Sequence, residues 1–180
     1  MATSDSGLGG VPTAGPAGPE TAWGTNLSGN YLNDATEYLE LPALDLAGAT
    51  RPMVVVSHWF SIQPGDFAVV EVDDGGGFAR IDPIYGYPDP SGFTGSDDWS
   101  DFSVDLTGFG TAPRVRFAFS ADAVQADAGW YLSSATLYDG DATPPLVAAI
   151  SSPADTQELT TPYLVTLSAI DDVAIVSLDL

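Results

Sequence analysis

The sequence contains no cysteine and no lysine, four arginines (Arg51, Arg80, Arg114 and Arg116) and a single histidine, His58. Without thiols there are no disulfides, no thiol catalysis and no thiolate zinc sites; the compartment stays open, because many exported bacterial proteins carry no disulfide. Without lysine there is no phosphate-binding loop of the Gly-Lys-Ser/Thr type. One histidine cannot supply the paired ligands of an H-E-x-x-H zinc site, and no glutamate follows it in that pattern. A G-x-S-x-G nucleophile elbow is absent too, so a Ser-His-Asp triad would have to use His58. Long apolar runs are also missing: none approaches the length that spans a bilayer, which excludes membrane insertion by a helix. The first ten residues, MATSDSGLGG, have neither a basic start nor an apolar stretch, so any export signal would lie upstream.

What is present in excess is carboxylate. Twenty-five acidic residues give a formal charge of -21, and a nucleic-acid backbone would be repelled. Acids in this number serve solubility in a salty or extracellular medium, and some have the chemistry of calcium ligands. Hydrophobic residues make up 44% of the 180, enough to bury a core.

Residues 1–22 are rich in Gly, Pro, Ala, Ser and Thr and read as a loop-like lead-in. From Trp23 on, short alternating runs at 38–41, 52–60, 66–73, 78–82, 102–106, 113–120 and 129–138 are separated by turn residues. No segment offers twelve residues of helical period, so residues 23–141 are expected to form an all-β antiparallel sandwich. Residues 142–145, with Pro144 and Pro145, read as a stiff linker. The remainder, 146–180, looks like the first strands of a second β-sandwich that stops before it closes.

Two stretches echo each other. DLAGATRPMVVVSHWF (45–60) resembles DLTGFGTAPRVRFAF (105–119): each has an Asp-Leu-x-Gly turn, a proline, then an alternating strand. The register puts Val115, Phe117 and Phe119 on one face with Arg114 and Arg116 outward, and places Val54, Val56, His58 and Phe60 on the corresponding face. His58 is therefore expected to be packed. The stretch DDGGG (73–77) lacks the spacing of a dinucleotide fingerprint or an EF-hand and reads as a hairpin turn.

Two constellations remain as candidate sites. Asn33, Asp34 and Glu37, with Asp66, Asp122 and Asp127, sit in or beside loops and could furnish the six to eight oxygens that calcium wants, if the loops meet. The loop PIYGYPDPSGFTGSDDW (83–99) carries Tyr85, Tyr87 and Phe93, which could stack on a sugar ring or meet a protein surface, whereas Trp99 and Trp130 are expected in the core.

Read in order, GVPTAGPAGPETAWGTNLSGNY (10–31), YLELPALDL (38–46), SHWF (57–60), DFAVVEVDDGGGF (66–78), WSDFSVDL (99–106), VRFAFSAD (115–122) and GWYL (129–132) resemble the jelly-roll domain that accompanies immune inhibitor A-like metallopeptidases, and are similar to the related MAM-like and cleaved-adhesin domains. The resemblance covers about residues 9–140. It implies a two-sheet jelly roll, often calcium-bound, appended to secreted or cell-surface bacterial proteins as a non-catalytic module. Such a module binds a polysaccharide or protein surface or supports a neighbouring catalytic domain of the same chain. Alternatives of the same origin are the scaffold of a secreted zinc metallopeptidase and a module of an adhesin. The family commonly has Gly-Trp-Tyr-Ile-Asp-Asp, where Ser133 and Ser134 stand here in place of the two acids. Its members start one or two strands before Gly10, so the first strand is expected to be missing and the sheet edge open. The tail from Pro144 is similar to bacterial Ig-like spacer modules.

Overall fold

A computed structural model describes residues 22–140 in full and the backbone of strands 146–151 and 166–170. The lead-in before residue 22, the linker 142–145 and the rest of the tail lie outside the described residues. The chain forms two compact units, Met1–Gly140 and Asp141–Leu180. Among the described residues there is no helix.

Among the described residues of the first unit there are eight strands: β1 (Trp23–Gly24), β2 (Thr36–Glu40), β3 (Pro52–Ile62), β4 (Phe67–Asp73), β5 (Ala79–Ile81), β6 (Gly95–Asp105), β7 (Arg114–Ser120) and β8 (Gly129–Asp139). They form two four-stranded sheets, ordered β1-β8-β3-β6 and β2-β7-β4-β5, and the recorded pairings are antiparallel. Within each sheet the outer pairs are β1 with β8, β3 with β6, β2 with β7 and β4 with β5. The chain is thus one long antiparallel ribbon, doubled back at the β4–β5 hairpin and wrapped so that alternate pairs fall in opposite sheets, which is the jelly-roll connectivity. In the second unit, β9 (Leu146–Ser151) pairs antiparallel with β10 (Thr166–Ile170).

Alternation along β3 and β7 sets the core. Val54, Val56, Phe60 and Ile62 of β3, Val115, Phe117 and Phe119 of β7, and Trp130 and Leu132 of β8 are buried in one cluster with Val70 and Val72 of β4. Trp130 crosses the gap to Phe117, ring centroids 5.7 Å apart and nearly perpendicular. Truncating so large a buried ring costs about 3–5 kcal/mol. The repeated turns are duplicates in space. Asp45 accepts the Ala47 N–H at 3.0 Å and Asp105 accepts that of Thr107 at 2.7 Å. Gly48 and Gly108 take φ of 82° and 91°, a region open to glycine, while Leu46 and Leu106 turn into the core.

Trp99 departs from expectation. It is half-buried on the outer face of the first sheet, beside Trp59 and against a small cluster of Ala22, Ala128 and Tyr131. The β3–β6 register shifts between His58 and Phe60, where β6 passes from Ser100 to Asp97.

His58 is 2% exposed, ringed by Phe93 and Phe102, each with its centroid at 4.6 Å. Its Nδ1 accepts a hydrogen bond from the Trp130 indole Nε1–H at 3.0 Å, which places the proton of the neutral ring on Nε2. Burial pushes the imidazole down to about 3. The unfolded chain therefore takes up a proton near pH 6.5 that the folded chain refuses until about pH 3, and this contribution to stability is lost as pH falls between the two. Denaturant unfolding of the native chain and His58→Phe at pH 7.5 and 5 should show the native protein losing up to about 1.4 kcal/mol more per pH unit below 6.5. Parallel pH profiles would contradict a neutral buried imidazole.

Candidate functional site: the loop end around Asp66

Asp66 stands just before β4 and is 1% exposed, although it is a carboxylate. Its Oδ2 accepts the Tyr31 hydroxyl at 2.5 Å and its Oδ1 accepts the Asp122 N–H at 2.6 Å. The Tyr31 oxygen also accepts the Gln63 N–H at 3.0 Å, and its ring meets Phe119 edge-on at 4.8 Å. Burial, then the hydrogen bond to Asp66, push the Tyr31 phenol up to about 12, so it is a proton donor at any physiological pH.

Three loops are stitched around this pair. The loop before β2 donates Tyr31 N to Asp127 O at 3.0 Å and Asp34 N to Asp122 O at 2.7 Å. Asn33 Nδ2 reaches Ala123 O at 3.2 Å and Asn30 Nδ2 reaches Ala126 O at 3.0 Å. Asp127 Oδ2 accepts from Ser61 Oγ at 2.9 Å and Gln63 Nε2 at 3.2 Å, while its Oδ1 accepts the Ala128 N–H at 2.8 Å. Asp122 Oδ1 accepts the Val124 N–H at 2.7 Å.

The loops carrying Asn33, Asp34, Asp66, Asp122 and Asp127 thus converge, whereas Glu37 sits on β2 opposite Phe119. What they build is a hydrogen-bonded knot, and the fit to calcium is poor. Both Asp66 oxygens and both Asp127 oxygens are already engaged by donors. Among the described residues no three acids or histidines are grouped so that they could hold a metal ion.

The aromatic loop resolves differently from its sequence reading. Phe93 is buried at 4% exposure: its backbone pairs with Ala68 in both directions, at 2.9 and 3.0 Å, and its ring enters the core. Tyr87 is half-buried; its hydroxyl accepts the Val70 N–H and donates to Ile81 O, each at 2.8 Å, which closes the end of the β4–β5 ladder. Burial pushes this phenol up to about 12. Tyr85 alone of the three is exposed, at 42%. Arg80 fastens the loop through Pro90 O at 2.9 Å and Ser91 O at 3.0 Å.

Sequence reasoning missed an arginine–aromatic stack on the outer face of the second sheet. The Arg116 guanidinium lies between Tyr38 and Phe78, at 4.0 and 3.9 Å from their centroids, and pairs with Glu71 at 2.6 Å. Arg114 pairs with Asp73, and this contact, followed by N–H groups of Gly77 and Gly75, holds the Asp73 carboxyl below its usual range. Outward alternation of Arg114 and Arg116 was the available signal; that Tyr38 and Phe78 flank Arg116 required the sheet order.

No protein-family model matches the chain. Over 138 residues, 74% of its length, the chain is 29% identical to Bacillopeptidase F of Bacillus subtilis (strain 168), and it spans 9% of that protein. A short stretch of a much larger peptidase therefore resembles this chain.

Tyr31→Phe removes the donor to a buried carboxylate and an acceptor for Gln63 N–H together, which should lower stability by about 1–3 kcal/mol. Leu32→Ala next to it, where the side chain is 69% exposed, should change stability by less than about 0.5 kcal/mol. Equal effects of the two substitutions in urea unfolding would show that the knot carries no stability.

Proposed function

We propose that this chain is a non-catalytic module of a larger, extracellular peptidase-containing protein, and that it supports the catalytic part or attaches it to a protein surface. The observation that carries the reading is the likeness to a stretch amounting to 9% of Bacillopeptidase F, together with a jelly roll whose one histidine is sealed in the core. A triad built on His58 would need that ring to leave four aromatic neighbours and abandon Trp130 Nε1. The acidity, -21 overall, suits a solvated module outside the cell.

Between a polysaccharide and a protein surface, the geometry favours protein. A sugar platform needs a row of exposed aromatic faces, and of the loop trio Tyr85 alone offers one. Deleting residues 22–140 from the gene product that contains them should leave its kcat/KM on a short soluble peptide within about two-fold. Its thermal half-life, or its turnover of an intact protein substrate, should fall several-fold. Loss of short-peptide turnover while the catalytic part remains folded would contradict the reading, as would a gene product without peptidase activity.

A further inference from the structure

The loop end held by the Asp66 knot presents two apolar side chains to solvent. Leu32 is 69% exposed and Val124 63%, against 46% for Tyr138, the next among the large apolar side chains described. Their loops are bonded to each other on either side of them, Tyr31 N to Asp127 O and Asp34 N to Asp122 O, with Asn33 Nδ2 on Ala123 O between. Each side chain also stands beside a non-glycine residue in the left-handed region, Asp34 at φ 57° and Gln125 at 56°, and among the described residues no other non-glycine residue adopts it. Such backbone persists where surrounding bonds over-determine it, and it gathers at contact sites.

Side chains this exposed contribute little to folding, yet the knot fixes where they stand. A contact made by groups already fixed loses little freedom on binding. Charge selects the sign of what binds. The three loops, 25–35, 63–66 and 121–128, hold Asp34, Asp66, Asp122 and Asp127 and no arginine, and Asp34 and Asp122 are exposed beside the apolar pair. Backbone chemistry selects its form. The amides of Tyr31, Asp34, Asp122 and Val124 and the carbonyls of Asp122, Ala123, Ala126 and Asp127 are already engaged within the knot, which leaves little main chain for an added strand. A partner whose own backbone is satisfied internally fits such a tip, and an amphipathic helix is the simplest.

We propose that Leu32 and Val124 form a docking knob for a basic amphipathic helix of a partner protein, its apolar stripe on the two side chains and its flanking cations on Asp34 and Asp122. A second copy of the chain would bring the same carboxylates together. A lipid surface is disfavoured because the tip has no cation to meet headgroups. This site names the partner chemistry for the protein contact proposed above and rests on that reading.

An NMR titration of the 180-residue chain, labelled with 15N and methyl 13C, by the peptide Lys-Leu-Ala-Lys-Leu-Ala-Lys-Lys-Leu-Ala-Lys-Leu-Ala-Lys tests it. The methyl signals of Leu32 and Val124 and the amides of 32–34 and 123–126 should shift together and saturate. Glutamates in place of the lysines, or a helix-breaking proline in place of the third alanine, should weaken binding by about ten-fold or more. The double variant Leu32→Ser, Val124→Ser should weaken it by about as much, with a melting temperature within about 2 °C of the native chain. No shift at millimolar peptide, shifts centred elsewhere, or equal binding by the proline peptide or the double variant would overturn the proposal, the last two marking charge attraction alone. So would broadening of the same methyls with chain concentration, which marks a second copy, or their response to phosphatidylcholine vesicles, which marks a lipid surface. A silent tip alongside the deletion effects described above removes the helix site and leaves the accessory role standing.

Discussion

A carboxylate that is buried must be satisfied before two sheets can close over it, and Asp66 is the place where this molecule meets that demand. The unpaired group would cost several kcal/mol. Here the Tyr31 hydroxyl and the Asp122 amide take one oxygen each. Because Tyr31, Asp66 and Asp122 come from three separate loops, satisfying one carboxylate fixes the end of the sandwich. Gln63, Asp34 and Asp127 then fall into place through backbone groups. A charge that desolvation makes expensive thereby becomes the organiser of an otherwise irregular region.

The remaining carboxylates divide by position. Those at turns, such as Asp45, Asp105 and Asp89, accept N–H groups two residues on, as short acidic side chains do wherever a chain reverses. Those on β6 and β2 line the edges. Glu71 and Asp73 answer Arg116 and Arg114 on the face where most of the positive charge lies. The acidity is thus distributed over turn, edge and pairing roles.

The parts of the fold legible in the sequence are those that local pattern determines. Alternation gave β3 and β7 and the inward placement of His58, and the Asp-Leu-x-Gly echo predicted two turns that coincide down to the sign of φ. Where pattern is silent the reading failed. The first half of β6, Gly95–Asp101, is acidic and exposed, so it shows no period, and β1 is too short to show one. Phe93 and Tyr87 looked like contacts because an aromatic residue in a Gly- and Pro-rich loop reads as surface; the loop is instead drawn inward by the Ala68 bridge and by the end of the β4–β5 ladder. The acidic loops were expected to supply cation ligands if they met, and residues 31 and 66, thirty-five positions apart, give no local sign that a tyrosine hydroxyl will donate to the Asp66 carboxylate.

That protein donors hold these loops together is the central claim. Amide hydrogen exchange of the 180-residue chain in millimolar calcium and in chelator at matched ionic strength tests it most directly. The amides of Tyr31, Asp34, Gln63 and Asp122 should keep the same protection in both, because their acceptors are protein oxygens. A ten-fold or greater loss of protection at these four in chelator, with β3 and β7 unchanged, would mean that a cation and not the Tyr31–Asp66 pair holds the loops together.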